Sequence, residues 1–277
     1  MRTETKGKHH LMVFDTFGEF VRYNVDNGDK HEDYTESFNG VSSLREAIDM
    51  ATKGLPTFGI EGLNLAQERI ERISADLVDQ HFKPVYDVAG ASVDVGRFLS
   101  GEPECMVDYF MEDTMRTERI VTVATGLCVS ASISKETIKQ RGYKLMALCE
   151  AIDRTGLQSE MWADYSIEQS SSGYSLRIAV RLKAPGEMFD PGMFMYALSH
   201  PSSLRALAFN AWNIGSPGGW RRPLSIGHGY GTPMNTAKKM DDYPPSTVYV
   251  PGVKAYGDWK DFAFQPENVL KELGLLA

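Results

Sequence analysis

The sequence predicts an α/β protein built on a doubly wound, mixed but mostly parallel sheet, and three stretches carry that prediction. Residues 120–134 (IVTVATGLCVSASIS) open on an apolar, β-branched run of the kind that fills buried strands. Residues 135–156 follow as an amphipathic helix. Ile138, Gly142, Leu145, Cys149 and Ile152 recur at spacings of four and three and form one apolar stripe, and Gly156 supplies the stop. Leu157–Tyr165 reads as a second strand. Strand, long helix and strand are the parts of a βαβ unit. Ser170–Gly173 is a turn before another strand, Tyr174–Lys183, which makes an antiparallel hairpin.

The remaining elements follow in chain order. Leu11–Val25 holds one or two short apolar elements, with Phe14, Phe17, Phe20 and Tyr23 every three residues suggesting an aromatic helical face. Residues 26–39 are polar and read as a loop. Ser43 followed by Glu46 is a capping box, and Leu44, Ala47, Ile48 and Ala51 form the buried side of a helix stopped by Gly54 and Pro56. A second helix is expected over Asn64–His81, with Asn64 and Gln67 as a cap pair. Lys83–Gly101 reads as irregular apart from a short helix at Val95–Leu99. A strand is expected over Cys105–Phe110, and alternation along it would put Glu102, Glu104 and Asp108 on one face, as a solvated strand edge or, less readily, a metal site.

Gly142 costs about 1 kcal/mol of helix propensity relative to Ala, and close approach of the helix to the sheet would offset it. Asp190 and Pro191 cap and start a helix that His200-Pro201 breaks; a further helix carries Leu204, Leu207, Ala208 and Ala211. From Gly215 to Pro266 the chain holds seven of its thirteen prolines and is rich in aromatics. It reads as an ordered, irregular wrap ending in a helix near Pro266–Leu275. The expected organisation is a helical region over 1–101 packed on an α/β core at 102–214, with the wrap over 215–277.

Composition removes some function classes. A net charge of −8 argues against general binding to phosphate backbones. No apolar run reaches membrane-spanning length, and the first residues lack the pattern of a secretory signal. Cys105, Cys128 and Cys149 are widely spaced and read as free thiols suited to a reducing compartment; the six histidines join them in no zinc-type spacing.

The central order of strand, helix, strand, antiparallel strand and helix resembles the start of a von Willebrand factor A domain. That resemblance implies helices on both faces of the sheet, an antiparallel edge strand, and a metal site opening with Asp-x-Ser-x-Ser. Here those positions read Ser130-Ala131-Ser132-Ile133-Ser134. Ser132 and Ser134 match and Ser130 replaces the aspartate. Neutral hydroxyls offset little of the dehydration cost of magnesium, so weak or absent metal binding and no cofactor are expected. The serines are then a partner-binding turn, or a helix cap with turn hydroxyls. Ser37–Pro56, residues 87–106 (DVAGASVDVGRFLSGEPECM) and Ala197–Trp212 resemble an uncharacterised family of bacteriophage proteins. This implies viral origin and expression inside a bacterial host.

A second candidate is the glycine-rich run Gly227-His228-Gly229-Tyr230-Gly231-Thr232. Such loops cradle phosphate when a helix N-terminus follows, but Pro233 and polar residues follow here. His228 could serve as a base only with a carboxylate partner. Arg221-Arg222 and Lys238-Lys239 flank the loop. No nucleophile elbow, paired-cysteine zinc site or P-loop is present. The expected function is therefore a phage-encoded module that binds a protein partner, resident in the host cytoplasm. The alternatives are a virion or assembly component, and a hydrolase or nucleotide-binding enzyme using residues 227–232.

Overall fold

The computed structural model describes residues 1–31, 33–78, 82–90, 92–111, 120–130, 133–169, 171–188, 190–227, 229–230, 232–234, 243–244, 246–252 and 265–273. The chain is a mixed α/β protein with a seven-stranded sheet. Its elements are β1 (Arg2–Lys6), β2 (His9–Phe14), α1 (Phe17–Asn27), α2 (Glu36–Asn39), α3 (Leu44–Lys53) and α4 (Pro56–Val78). Next come β3 (Phe82–Asp87), β4 (Ser92–Val93), α5 (Val95–Leu99), β5 (Met106–Met111), β6 (Ile120–Gly126), α6 (Lys135–Arg154), β7 (Gln158–Gln169) and β8 (Tyr174–Lys183). The C-terminal part adds α7 (Pro191–Ser199), a π-helix (Ser203–Ala208), α8 (Phe209–Gly215), β9 (Thr232–Pro233), β10 (Val248–Val250) and α9 (Pro266–Glu272). No helix among the described residues is long and apolar enough to cross a membrane.

The predicted βαβ unit and hairpin are present: β6 and β7 are parallel, α6 lies between them in sequence, and β7 pairs antiparallel with β8. The sheet runs β1-β2-β8-β7-β6-β10, with β9 paired to the far end of β7. Two expectations are corrected by this order. The antiparallel strand β8 is internal, because β2 lies parallel to it on the far side and β1 forms the edge. Residues 1–101 are also not simply helical. They supply β1 and β2, and β3 and β4 join β5 in a separate three-stranded antiparallel sheet.

Alternation along the strands shows how the layers are arranged. Met12, Phe14, Val121, Val123, Met161, Ala163, Tyr165, Leu176, Ile178 and Val180 share one core with residues of α1, α3, α4, α6, α7 and α8. The alternate positions Leu11, Val13, Ala124 and Ala179 face the other way and pack with Tyr243, Trp162 and Tyr249. Every described helix in the main core therefore covers one face, and the doubly wound expectation is not met among the described residues. The second face carries a buried ion pair, Arg177 to Asp164 at 2.8 Å.

Several local corrections have physical causes. Phe14 ends β2, and only Phe17, Phe20 and Tyr23 belong to the aromatic helix. α4 begins at Pro56, eight residues before the expected start, because its glycines serve packing. A Cβ at Gly59 would sit 2.8 Å from the backbone N of Gly192, and one at Gly62 would sit 2.7 Å from Met146 Sδ. Pro56 therefore opens a helix as well as following one. Gly142 allows approach to α7 rather than to the sheet, with Met195 Cε 3.1 Å and Ser199 Cβ 3.3 Å from a would-be Cβ. Glu102 and Glu104 precede β5; Glu102 pairs with Arg97 at 3.4 Å. The aromatic wrap includes a strand, β10, parallel to β6.

Candidate functional site

The serine turn lies where β6 ends and α6 begins. Ser130 O accepts from Ile133 N at 3.1 Å. Ser134 is the N-cap of α6: its hydroxyl accepts from Thr137 N at 3.1 Å and lies 2.8 Å from Thr137 Oγ1. That oxygen has its local partners already. Ser132 lies outside the described residues. Nearby, Gly126 and Gly252 let two backbone segments cross, since a Cβ at Gly252 would meet Cys128 O at 2.5 Å. No group of three or more His, Cys, Asp or Glu side chains among the described residues could hold a metal ion.

The glycine run sits elsewhere, against α8. Gly227 and Gly229 have φ of +92° and +122°, and Tyr230 has φ +54°. Tyr230 is an anchor: its ring stacks on Phe209 at 3.7 Å, and its hydroxyl accepts from Asn213 Nδ2 at 2.8 Å and lies 2.7 Å from His31 Nδ1. Strand β9 follows it, not a helix N-terminus. His228 and Gly231 lie outside the described residues. The serine turn and the glycine run thus occupy separate places in the fold.

What the fold does build is a groove of about 800 Å³ among helices α2, α3, α4, α6 and the end of α7. Met50, Leu55, Phe58 and Pro201 supply its apolar surface, and Glu36, Lys135, Glu136, Lys139 and His200 its polar rim. The joint between α3 and α4 is clamped to the start of α7, where Leu55 N donates to Gly192 O at 2.9 Å. Gly54, at φ +69°, makes that approach possible. Lys139 sits 4.0 Å from the centre of the Phe58 ring and 3.1 Å from Glu61 Oε2. The Tyr143 hydroxyl donates to the same carboxylate.

His200 is the histidine of that rim. It caps α7 in an extended conformation, as a residue before proline prefers. Its ring stacks on Tyr196 at 5.4 Å, and Nδ1 lies 2.7 Å from Ser202 Oγ and 3.3 Å from Ser202 N. With a backbone N–H directed at it, Nδ1 accepts, and the proton belongs on Nε2. Burial, aided by Lys135 and opposed by Glu46, pushes the pKa of His200 down to about 4. The imidazole is therefore neutral at pH 7. Ser202 is 0% exposed, so the adjacent His–Ser pair presents no nucleophile to the groove. The arrangement suits binding.

A separate cavity of about 20 Å³ shares His200 and Pro201 with the groove and is also lined by Leu127, Tyr165, Ser203 and Arg205. Arg205 stands on the π-helix and is 6% exposed. Its Nη1 donates to Phe38 O at 2.9 Å, and the Phe38 ring lies 4.3 Å from the guanidinium carbon. Its Nη2 has no hydrogen-bond partner among the described residues.

A family model matches residues 2–277, almost the whole chain. The chain belongs to the family described as Domain of unknown function (DUF7192). No curated protein and no solved structure matches it. In this DUF7192 chain, sequence reasoning missed the groove because its walls come from five separate elements. His200-Pro201 was legible only as a helix break. Arg205 lies between apolar Leu204 and Ala206 and reads as a solvent-facing position in an α-helix. A cation embedded in that apolar run was the one available signal.

Proposed function

We propose that this DUF7192 chain is a phage-encoded protein–protein interaction module whose groove receives an amphipathic helical segment of a partner protein. The observation that carries the reading is the groove itself: about 800 Å³, helix-walled, with Met50, Leu55 and Phe58 exposed to a ligand and charged residues at the rim. Recognition of a helix by an apolar groove needs such a surface, with anchor side chains filling it and rim charges setting orientation. The βαβ unit and hairpin support a von Willebrand A-like ancestry for the central strands. The phage resemblance supports action in the host cytoplasm. The Ser134 cap and the packed Tyr230 direct attention away from metal and phosphate chemistry.

The test is selection from a ribosome-displayed library of random dodecapeptides on the full chain, followed by binding measurements. Peptides with apolar residues spaced at three and four are expected, and Phe58→Glu should weaken them at least tenfold. Recovery of no peptide binding below 100 µM, or binding unaffected by Phe58→Glu, would overturn this reading. (The threshold corresponds to roughly −5.5 kcal/mol, the weak end of specific recognition.)

A further inference from the structure

We infer that the groove selects an acidic partner segment, and that a carboxylate of that segment enters the adjoining cavity to pair with Arg205. The inference rests on the groove reading above and specifies what the groove takes.

Arg205 decides the chemistry. A guanidinium presents five N–H donors, and a buried cation is costly unless paired and hydrogen-bonded. Arg205 is 6% exposed, yet its Nη2 has no acceptor among the described residues. Its partners among the described residues are neutral: the Phe38 carbonyl at 2.9 Å and the Phe38 ring. The cavity it lines, about 20 Å³, is large enough for one water-sized group, and therefore for a single oxygen of an acid.

The groove and the cavity share a wall. His200 and Pro201 belong to the walls of both groove and cavity. Gly40 has φ +74°, and a Cβ there would lie 3.1 Å from His200 Cε1 and 3.5 Å from Nε2. Glycine, without a Cβ, allows the chain to come this close to the ring edge that holds Nε2, the nitrogen that carries the proton. His200 and Arg205 both line the cavity, so a carboxylate oxygen admitted to it would be offered a neutral N–H donor by the one and a charged donor by the other. Apolar side chains on the same segment fill the space at Met50, Leu55 and Phe58. Charge-assisted bonds of this type are stronger than neutral ones, so an amide in the acid's place is a poor substitute.

The π-helix explains how an arginine reaches this position. Its wider turn departs from the 3.6-residue repeat, and every residue from Ser203 to Ala208 is buried.

The experiment uses the dodecapeptides selected on the full chain. Aspartate or glutamate should be enriched at one position flanked by apolar residues. Synthetic versions with that acid changed to its amide should bind wild type at least tenfold more weakly. Arg205→Gln should bind the acidic peptide at least tenfold more weakly and no longer distinguish acid from amide, while Arg205→Lys should recover part of the preference. Selected peptides without acidic enrichment, or an acid-to-amide change without effect on wild type, would overturn the inference while leaving the groove reading intact. Failure to select any peptide would sink both. The acid-to-amide comparison needs no protein variant, so it decides the matter even if Arg205→Gln does not fold.

Discussion

At the scale of single residues, the serine turn shows how a motif reading and a structural reading separate. Ser134 satisfies the first turn of α6. Ser134→Ala should therefore cost about 1 kcal/mol, measured by urea unfolding. Unchanged stability would contradict the capping role. His200 gives a pH prediction. Its folded pKa, about 4, lies below the ordinary value of 6.5, so at pH between those values the unfolded chain binds more protons. Its contribution is fully present above pH 6.5 and is lost as pH falls toward 4. Burial also lowers the pKa of His10 and His31, and they act in the same direction. The melting temperature should fall between pH 7 and pH 4.5, and His200→Gln should show a smaller fall. An equal fall in wild type and variant would refute the assignment.

At the scale of elements, glycine contacts distinguish what was legible in the sequence from what was not. The cap Ser43, the stop Gly54, the Asp190-Pro191 start and the α6 stripe are local signals, and each has its predicted place. The Ser43 box is shared differently: Glu46 accepts from Ser42 rather than from the cap residue. The start of α4 was hidden because Gly59 and Gly62 resemble loop residues until their tertiary neighbours are known. Two substitutions test this account. Gly59→Ala would press a methyl group against Pro191 and Gly192 backbone atoms at 2.8 Å. It should destabilise by about 1–3 kcal/mol, despite the better helix propensity of alanine. Gly142→Ala meets the flexible end of Met195 at 3.1 Å and Ser199 Cβ at 3.3 Å, no backbone atom, and should be near neutral once the gain in helix propensity of about 1 kcal/mol is set against those contacts. Equal effects in denaturant melts would contradict the distinction. The π-helix was likewise invisible, since Leu204, Leu207, Ala208 and Ala211 satisfy an ordinary helical stripe.

At the scale of the whole molecule, long-range pairing was the least legible feature. Nothing local indicates that β2 extends the sheet beyond β8, or that Val248–Val250 joins β6. The same holds for the second sheet face, where Arg177 and Asp164 are 8% and 2% exposed in their side chains and pair at 2.8 Å. Asp164→Ala leaves a buried guanidinium without that carboxylate and should cost about 3–5 kcal/mol. A loss below 1 kcal/mol in equilibrium unfolding would show that the pair is not essential to this face.

The groove is also a whole-molecule property, assembled from residues between Glu36 and Pro201. Its main competitor as an interaction surface is the apolar row Val93, Val95, Phe98 and Leu99 on the small sheet and α5, which are 47–79% exposed. Hydrogen-exchange mapping of the full chain with a selected acidic peptide distinguishes them most directly. Binding in the groove predicts slowed exchange across residues 50–58, 135–139 and 199–205, with residues 92–99 and 225–230 unchanged. Slowed exchange confined to residues 92–99 or 225–230 would contradict the central claim.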